Sequence, residues 1–353
     1  MDFNILTKLI ESDLKELSVN KYSSGKNSSL AIAEEYLSNL PYCSSFREGK
    51  STLKMFYKDE MFASMRGQSP FTNSKLAIRT ANNKIKTEEL LKENNVNTTD
   101  SRLFELKEYQ AAERFVTNSK EQLVLKPFNL NGGRGITLDV TKDNFDFAWT
   151  QAVNACKEKG KPFKVMIQPL VRGIETRVLI IEGKFNSAIL RVPANIIGNG
   201  KDTIHDLIKN KNNLRMKNPH LKLLPIRVTD VVKSNLKEQD KNIETIPEKD
   251  EIVYLHKSSN ISQGGDSYEI SHLISENIKE VAEKALSSIP DFHTGGVDLM
   301  IESFDDENPV VLELNPAANL RLHHYPWKGE PKMPVYDLVD ILLKKYKKKS
   351  KIL

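Results

Sequence analysis

The chain has 353 residues, 39% hydrophobic and 28% charged, the profile of a soluble globular protein long enough for roughly two or three cores. Its formal charge of +5 at pH 7 is mild and draws on a terminal run of Lys344, Lys345, Lys347, Lys348, Lys349 and Lys351, so nucleic-acid binding is not indicated. Cys43 and Cys156 are too few and too far apart for a disulfide framework or a zinc site, which fits a reducing cytoplasm. No run reads as a signal peptide or a membrane span.

Residues 1–73 carry two helical patterns, ILTKLIESDLKEL and SLAIAEEYLSNL, around the loop-forming NKYSSGKNSS, and no chemical motif. From Ser74 the text SKLAIRTANNKIKTEELLKENNV breaks at Asn82-Asn83 and predicts an amphipathic helix with Ile85, Leu90 and Leu91 on its apolar face. Lys84 opens that helix, where the dipole disfavours a cation. By itself it reads as solvent-facing.

QLVLKP predicts a strand with Lys126 near its end, followed by FNLNGGRGI and a second strand, ITLDV. Gly132, Gly133 and Gly135 permit close backbone approach to a phosphate, and Arg134 and Lys126 add positive charge. No GKS or GKT follows, so this is not a Walker loop, and a plain hairpin turn fits the same letters. Phe145, Ala148, Trp149, Ala152, Val153 and Cys156 give the next helix one buried face. The run FKVMIQPLVRGIETRVLIIEGKFNSAILRVP reads as strands with a hairpin turn at Glu182-Gly183, interrupted by Gln168, Glu175, Arg177 and Arg191. Residues 195–227 hold a Gly-Asn-Gly turn, a short helix and a basic loop, which fits either a solvated excursion or a flap over an anionic ligand. A strand at 251–255, the segment HKSSNISQGGDSYEIS and a helix over 276–288 follow.

The stretch GGVDLMIESFDDENPVVLELNPAANL then predicts an antiparallel hairpin over 297–301 and 310–314. Side chains alternate along a strand, so Glu313 and Asn315 share a face and pairing can bring Asp298 opposite them. Two carboxylates on an apolar sheet face suggest a cation, and an all-oxygen donor set suits magnesium held jointly with phosphates. Carboxylates meeting lysines on an edge strand are the alternative. A last helix, VYDLVDILLKKY, closes the chain.

Taken in order, LVLKP with its glycine loop, IQPLVRGIETRVLII, RVPANIIGNGKDTIHDLI, SSNISQGGDS, GGVDLMI and LELNPA resemble the ATP-grasp superfamily, in particular the ATP-grasp domains of cyanophycin synthetase and of the fused bacterial glutathione synthetase. The resemblance implies an α+β ATP-grasp fold, two α/β lobes gripping ATP, with an N-terminal α/β or helical segment. It divides the chain into an N-terminal segment (1–73), an ATP-grasp domain (74–343) with a glycine-loop lid over roughly 113–170 and a catalytic subdomain over 171–343, and a basic tail (344–353).

Carried over residue by residue, the resemblance puts Lys84 and Lys126 on the nucleotide phosphates and makes Gly132, Gly133, Arg134 and Gly135 the flap over them. It sets Gln168 and Leu170 beside the adenine, with Gln168 standing where glutamate is common. Glu175 matches the ribose carboxylate, and Arg177 and Arg191 match arginines facing the phosphates or the substrate carboxylate. Asp298, Glu313 and Asn315 match the ligands of magnesium, with manganese as the alternative. Relatives carry an arginine four residues before Asn260, and this chain has His256 there with Lys257 beside it; either is expected to supply the charge, or the site is less active. Asn260 and Arg321 are expected on the substrate side.

The implied activity is ATP-dependent carboxylate–amine ligation through an acylphosphate, on small carboxylate and amine substrates, with no nucleic-acid or membrane partner and a homodimer as one option. A kinase, a protein-modifying glutamate-type ligase and a non-catalytic nucleotide-binding subunit are the alternatives. The flanking domains of both relatives are missing from the sequence, so neither full bifunctional activity is expected of it.

Overall fold

The computed structural model describes residues 1–70, 72–128, 130, 135–160 and 162–350. Gly132, Gly133 and Arg134 of the expected flap lie outside the described residues.

The N-terminal segment is less helical than its letters suggest. After helices Phe3–Glu11 and Ser29–Ser38, it forms an antiparallel meander of strands Cys43–Glu48, Thr52–Tyr57, Glu60–Arg66 and Ser69–Pro70. Leu53, Met55 and Tyr57 alternate inward along the second strand, the period-two pattern of a half-buried strand. The helix Pro334–Lys349 packs against this sheet through Val335, Leu338, Val339 and Leu342. Lys344, Lys345, Lys347, Lys348 and Lys349 of the basic run therefore lie in the last turns of a docked helix, with Lys347 Nζ lying 4.4 Å from the centre of the Tyr57 ring.

The lid is a four-stranded sheet in the order Arg102–Glu105, Lys164–Pro169, Leu123–Pro127, Thr137–Val140. Helices Tyr109–Asn118 and Phe145–Glu158 cover one face, where Phe104, Leu125, Val165 and Ile167 meet Ala112, Phe145, Ala148 and Trp149. Val124, Lys126, Met166 and Gln168 alternate with those core residues and so belong to the other face.

The second lobe is built on a five-stranded sheet, ordered Asp266–Glu269, Lys184–Val192, Ile174–Ile181, Gly295–Ile301, Val310–Asn315, with every neighbouring pair antiparallel. Val178, Ile180, Leu190, Val297 and Leu299 pack with Ile278, Ala282 and Ala285 of helix Glu276–Ser287. Alternation sends Glu175, Arg177, Arg191, Asp298, Glu313 and Asn315 to the opposite face. Residues 195–257 form a folded α/β excursion: strands Asn195–Ile197 and Ile252–Tyr254 and helices Ile204–Arg215 and Asp230–Lys237 enclose their own core of Ile196, Ile204, Val232, Leu236 and Val253. Among the described residues no helix is long and apolar enough to cross a membrane.

Candidate nucleotide and metal site

The hairpin forms as its letters predict. Asp298 pairs across the ladder with Glu313 on one side and Arg177 on the other, and Gly296 pairs with Asn315. This register puts two carboxylates, an amide and a guanidinium on one face of three adjacent strands. Gly296 keeps the approach open, because a Cβ there would stand 3.3 Å from Arg177 Cδ and Nε.

These groups form one lattice. Arg177 grips both Asp298 oxygens, Nε at 2.6 Å and Nη2 at 2.7 Å, the bidentate fork that makes arginine–carboxylate pairs strong. Arg191 Nη1 lies 3.2 Å from Asp298 Oδ2 and also donates to Glu175. Ser259 donates to the other Glu175 oxygen. Asn315 Nδ2 bridges Asp298 Oδ2 and Glu313 Oε1, each at 3.1 Å, and Lys84 Nζ lies 3.1 Å from Glu313 Oε2. Three carboxylates thus meet Arg177, Arg191 and Lys84, so the charges balance within the cluster. Burial pushes the Asp298 carboxyl up against the pull of Arg177 and Arg191. Burial also acts to raise Glu175 and Glu313, but Arg191 and Ser259 hold the first below the usual carboxylate range and Lys84 and Asn315 hold the second well below it.

Lys126 comes to the same cleft from the lid. Burial, with the like charge of Lys84, pushes its ammonium down to about 8 while Glu313, Glu88 and Glu175 act in the other direction. If Lys126 meets phosphate as the resemblance implies, a lysine that must be charged for that contact is half neutral near pH 8. The affinity for ATP is therefore expected to fall as pH rises through about 8, with kcat/KM for ATP carrying the limb, and Lys126→Arg should move that limb upward. A flat profile between pH 7 and 9.5 would contradict this.

The sequence reading missed Glu88. It is 5% exposed on the helix Lys84–Glu93 and accepts from Thr99 Oγ1 at 2.6 Å, Ser101 Oγ at 2.5 Å and Ser101 N at 2.9 Å. These bonds fix the Lys84 helix to the start of the lid. The available signal was its place one turn beyond Lys84 and three residues before the buried Leu91.

Among the other expected residues, Glu175 belongs to the lattice, and Gln168 shares the lid face of Lys126. Gln168 is buried on the inner lid face, its Oε1 3.5 Å from Ser101 Oγ, and Leu170 donates its N–H to Gln122 O at 2.7 Å. Gly135, at φ +66°, packs where a Cβ would meet Ala155 Cβ at 2.8 Å, so the described end of the glycine loop is pressed onto the lid helix. Both oxygens of Glu175 are taken by Arg191 and Ser259, so here it braces an arginine. Asn260 caps a turn, its Oδ1 accepting from Ser262 N at 2.9 Å and Ser262 Oγ at 2.8 Å. Arg321 donates to Asn27 O.

Neither His256 nor Lys257 forms an ion pair with the lattice. His256 is buried, and burial lowers its pKa. Lys257 is exposed and pairs with Glu238 at 2.6 Å.

Among the described residues no three His, Cys, Asp or Glu side chains converge as a self-sufficient metal cage. Asp298, Glu313 and Asn315 nevertheless suit a hard cation that takes its other ligands from phosphates and water: all three carry oxygen donors, and the two carboxylates supply two negative charges. A half-turn of the Asn315 amide presents its oxygen in place of Nδ2.

An ATP-grasp domain family model matches residues 81–319, which covers the lid, the five-stranded sheet and both lysines. The glutathione biosynthesis bifunctional protein of Clostridium perfringens is 31% identical over 269 residues, covering 74% of this chain and 34% of that protein. The cyanophycin synthetase of Crocosphaera subtropica is 30% identical over 229 residues, covering 62% of this chain and 26% of its own. The chain thus spans between a quarter and about a third of the length of these relatives. The crystal structure of a bifunctional glutathione synthetase from Pasteurella multocida superimposes with a TM-score of 0.64 at 24% identity, covering 86% of this chain and 42% of that one, a likeness of fold. With this extent of match over the elements that assemble the site, the chain belongs to the ATP-grasp family.

Proposed function

We propose that the protein is an ATP-dependent carboxylate–amine ligase that joins small amino-acid-like substrates through an acylphosphate. The observation that carries this reading is the charge-balanced lattice of Lys84, Glu313, Asn315, Asp298, Arg177 and Arg191 facing Lys126 across the lid cleft. The names of two of its relatives, a glutathione biosynthesis bifunctional protein and a cyanophycin synthetase, support the same reaction class.

ATP-grasp ligases use ATP and a divalent metal. In this chain Asp298, Glu313 and Asn315 would hold that metal, magnesium or manganese, whose contribution is to neutralise charge on the phosphate oxygens. Lys84 and Arg177, paired in this structure with the carboxylates named for that role, then become available to phosphate oxyanions. Lys126 meets the phosphates from the lid. A carboxylate oxygen of the acid attacks the γ-phosphorus and ADP leaves; the amine then attacks the acyl carbon, loses a proton, and phosphate leaves with the carbonyl restored. Phosphoryl transfer asks little covalent help of the protein, so fixed positive charge carries most of the catalysis. The lid sheet closes the intermediate off from water.

Incubation with ATP, magnesium and pooled amino acids should release phosphate above the rate with ATP alone. Absence of release across the pool and a panel of small carboxylic acids would overturn this reading.

A further inference from the structure

The chain crosses between the second lobe and the lid twice, and the two crossings are held differently. On the way in, Asn97 O accepts from Val311 N at 2.9 Å and Thr98 Oγ1 donates to Val311 O at 2.8 Å, so residues 97–98 run beside the strand that carries Glu313. The lid strand begins at Arg102. Only Thr99, Asp100 and Ser101 lie between, and Glu88 holds two of them: one of its oxygens accepts from Thr99 Oγ1 at 2.6 Å and Ser101 Oγ at 2.5 Å, the other from Ser101 N at 2.9 Å. On the way out, Leu170 N still donates to Gln122 O of the lid at 2.7 Å, while Gly173, at φ +122°, packs where a Cβ would stand 2.4 Å from Ile301 O of the second lobe. Val171 and Arg172, between them, make no backbone–backbone hydrogen bond among the described residues. The entry is clamped and the exit is slack.

A buried carboxylate is tolerated only when its oxygens are met, and among the described residues every side-chain hydrogen bond of Glu88 comes from this crossing. Its other end is fixed by the helix. Glu88 stands one turn beyond Lys84, on the same helical face, and Lys84 Nζ lies 3.1 Å from Glu313. A single helical turn therefore joins the lattice to the entry crossing. Across the cleft, Lys126 of the lid lies within electrostatic reach of Lys84, Glu313 and Glu88. Ser101 Oγ, 3.5 Å from Gln168 Oε1, brings the end of the outgoing lid strand to the same point.

We propose that Glu88 is the positioning residue of the lid: it fixes the crossing about which the lid turns, so that Lys126 closes onto the same phosphates that Lys84 meets from the helix. The slack at Val171 and Arg172 supplies the movement, and the clamp at Thr99 and Ser101 makes that movement a rotation about one point. Without the clamp the lid still folds on its own core, but its closed position is no longer set by the lattice. The inference rests on the nucleotide half of the ligase reading; it is tested by binding and needs no turnover.

The test is calorimetric titration of wild type and variants with a non-hydrolysable ATP analogue in the presence of magnesium, with each melting temperature recorded. Glu88→Gln and Ser101→Ala should each weaken the analogue about tenfold, the scale of one hydrogen bond to a charged group. Combined, they should weaken it by less than the product of the two, because both cut the same bond. Ser101→Thr, which keeps the hydroxyl, should bind as wild type does. If Glu88→Gln fails to fold, Ser101→Ala and the isosteric Thr99→Val carry the test. A carboxylate that served the fold alone would lower the melting temperature in these variants and leave the affinity unchanged. That result, multiplying losses in the double variant, or equal loss in Ser101→Thr and Ser101→Ala would overturn the assignment. Absence of binding by wild type would overturn it together with the ligase reading, whereas the expected pattern of affinities without phosphate release would overturn the ligase reading alone.

Discussion

Asp298→Asn is expected to lower kcat by 10² to 10³, about 3 to 4 kcal/mol of barrier by analogy with removal of one fixed electrostatic contact. Asp298 is 2% exposed and is the point where Arg177, Arg191 and Asn315 converge. The amide keeps the shape, removes one of the two carboxylates proposed to hold the metal, and leaves Arg177 with a neutral partner. Loss of a buried anion also destabilises the fold, so activity alone is ambiguous. Glu313→Gln separates the effects: its side chain is 32% exposed, so it should lose comparable activity with a smaller fall in melting temperature than Asp298→Asn. Full activity in both variants would remove these residues from the reaction.

Asp266→Ala should cost about 3 to 5 kcal/mol of stability, the range for stranding a buried ion-pair partner. Asp266 is fully buried and lies 2.5 Å from Lys211 Nζ and 2.6 Å from Arg215 Nη1. Lys211 also donates to Asn195 O at 2.8 Å and Arg215 to Leu224 O at 2.7 Å. These bonds staple the 195–257 excursion to the Asp266–Glu269 strand. Burial lowers the pKa of both cations, and Asp266 acts against it. Urea titration would measure the loss, with Asp266→Asn intermediate because its amide retains an acceptor. A midpoint unchanged from the wild type would contradict the staple.

The hairpin was legible because its pattern is local: alternation within two short runs puts Asp298, Glu313 and Asn315 on one face before any tertiary contact is known. Lys84 and Lys126 were assigned through the order of the motifs, since nothing local marks a lysine at a helix start or a strand end. The partners of these groups were not legible. Arg177 meets Asp298 only through the pairing of strands 121 residues apart in sequence, and Glu88 looks like any surface glutamate of an amphipathic helix until Thr99 and Ser101 are brought to it. The N-terminal meander was hidden by short strands such as Cys43–Glu48, whose residues are mostly exposed or half-buried and so lack a clean apolar alternation. Asn195 and Asp266, which stand in motifs of the resemblance, join the staple that locks the excursion in place.

Coupling of ATP cleavage to amide formation at the Asp298–Glu313 lattice, proposed above, can be read by mass spectrometry of wild type and Glu313→Gln, each incubated with ATP, magnesium and pooled amino acids. A condensation product and ADP are expected in wild type and at least a hundredfold less in the variant, in keeping with the loss of one electrostatic contact. ADP with no condensation product in wild type, or equal product in the two proteins, would contradict it.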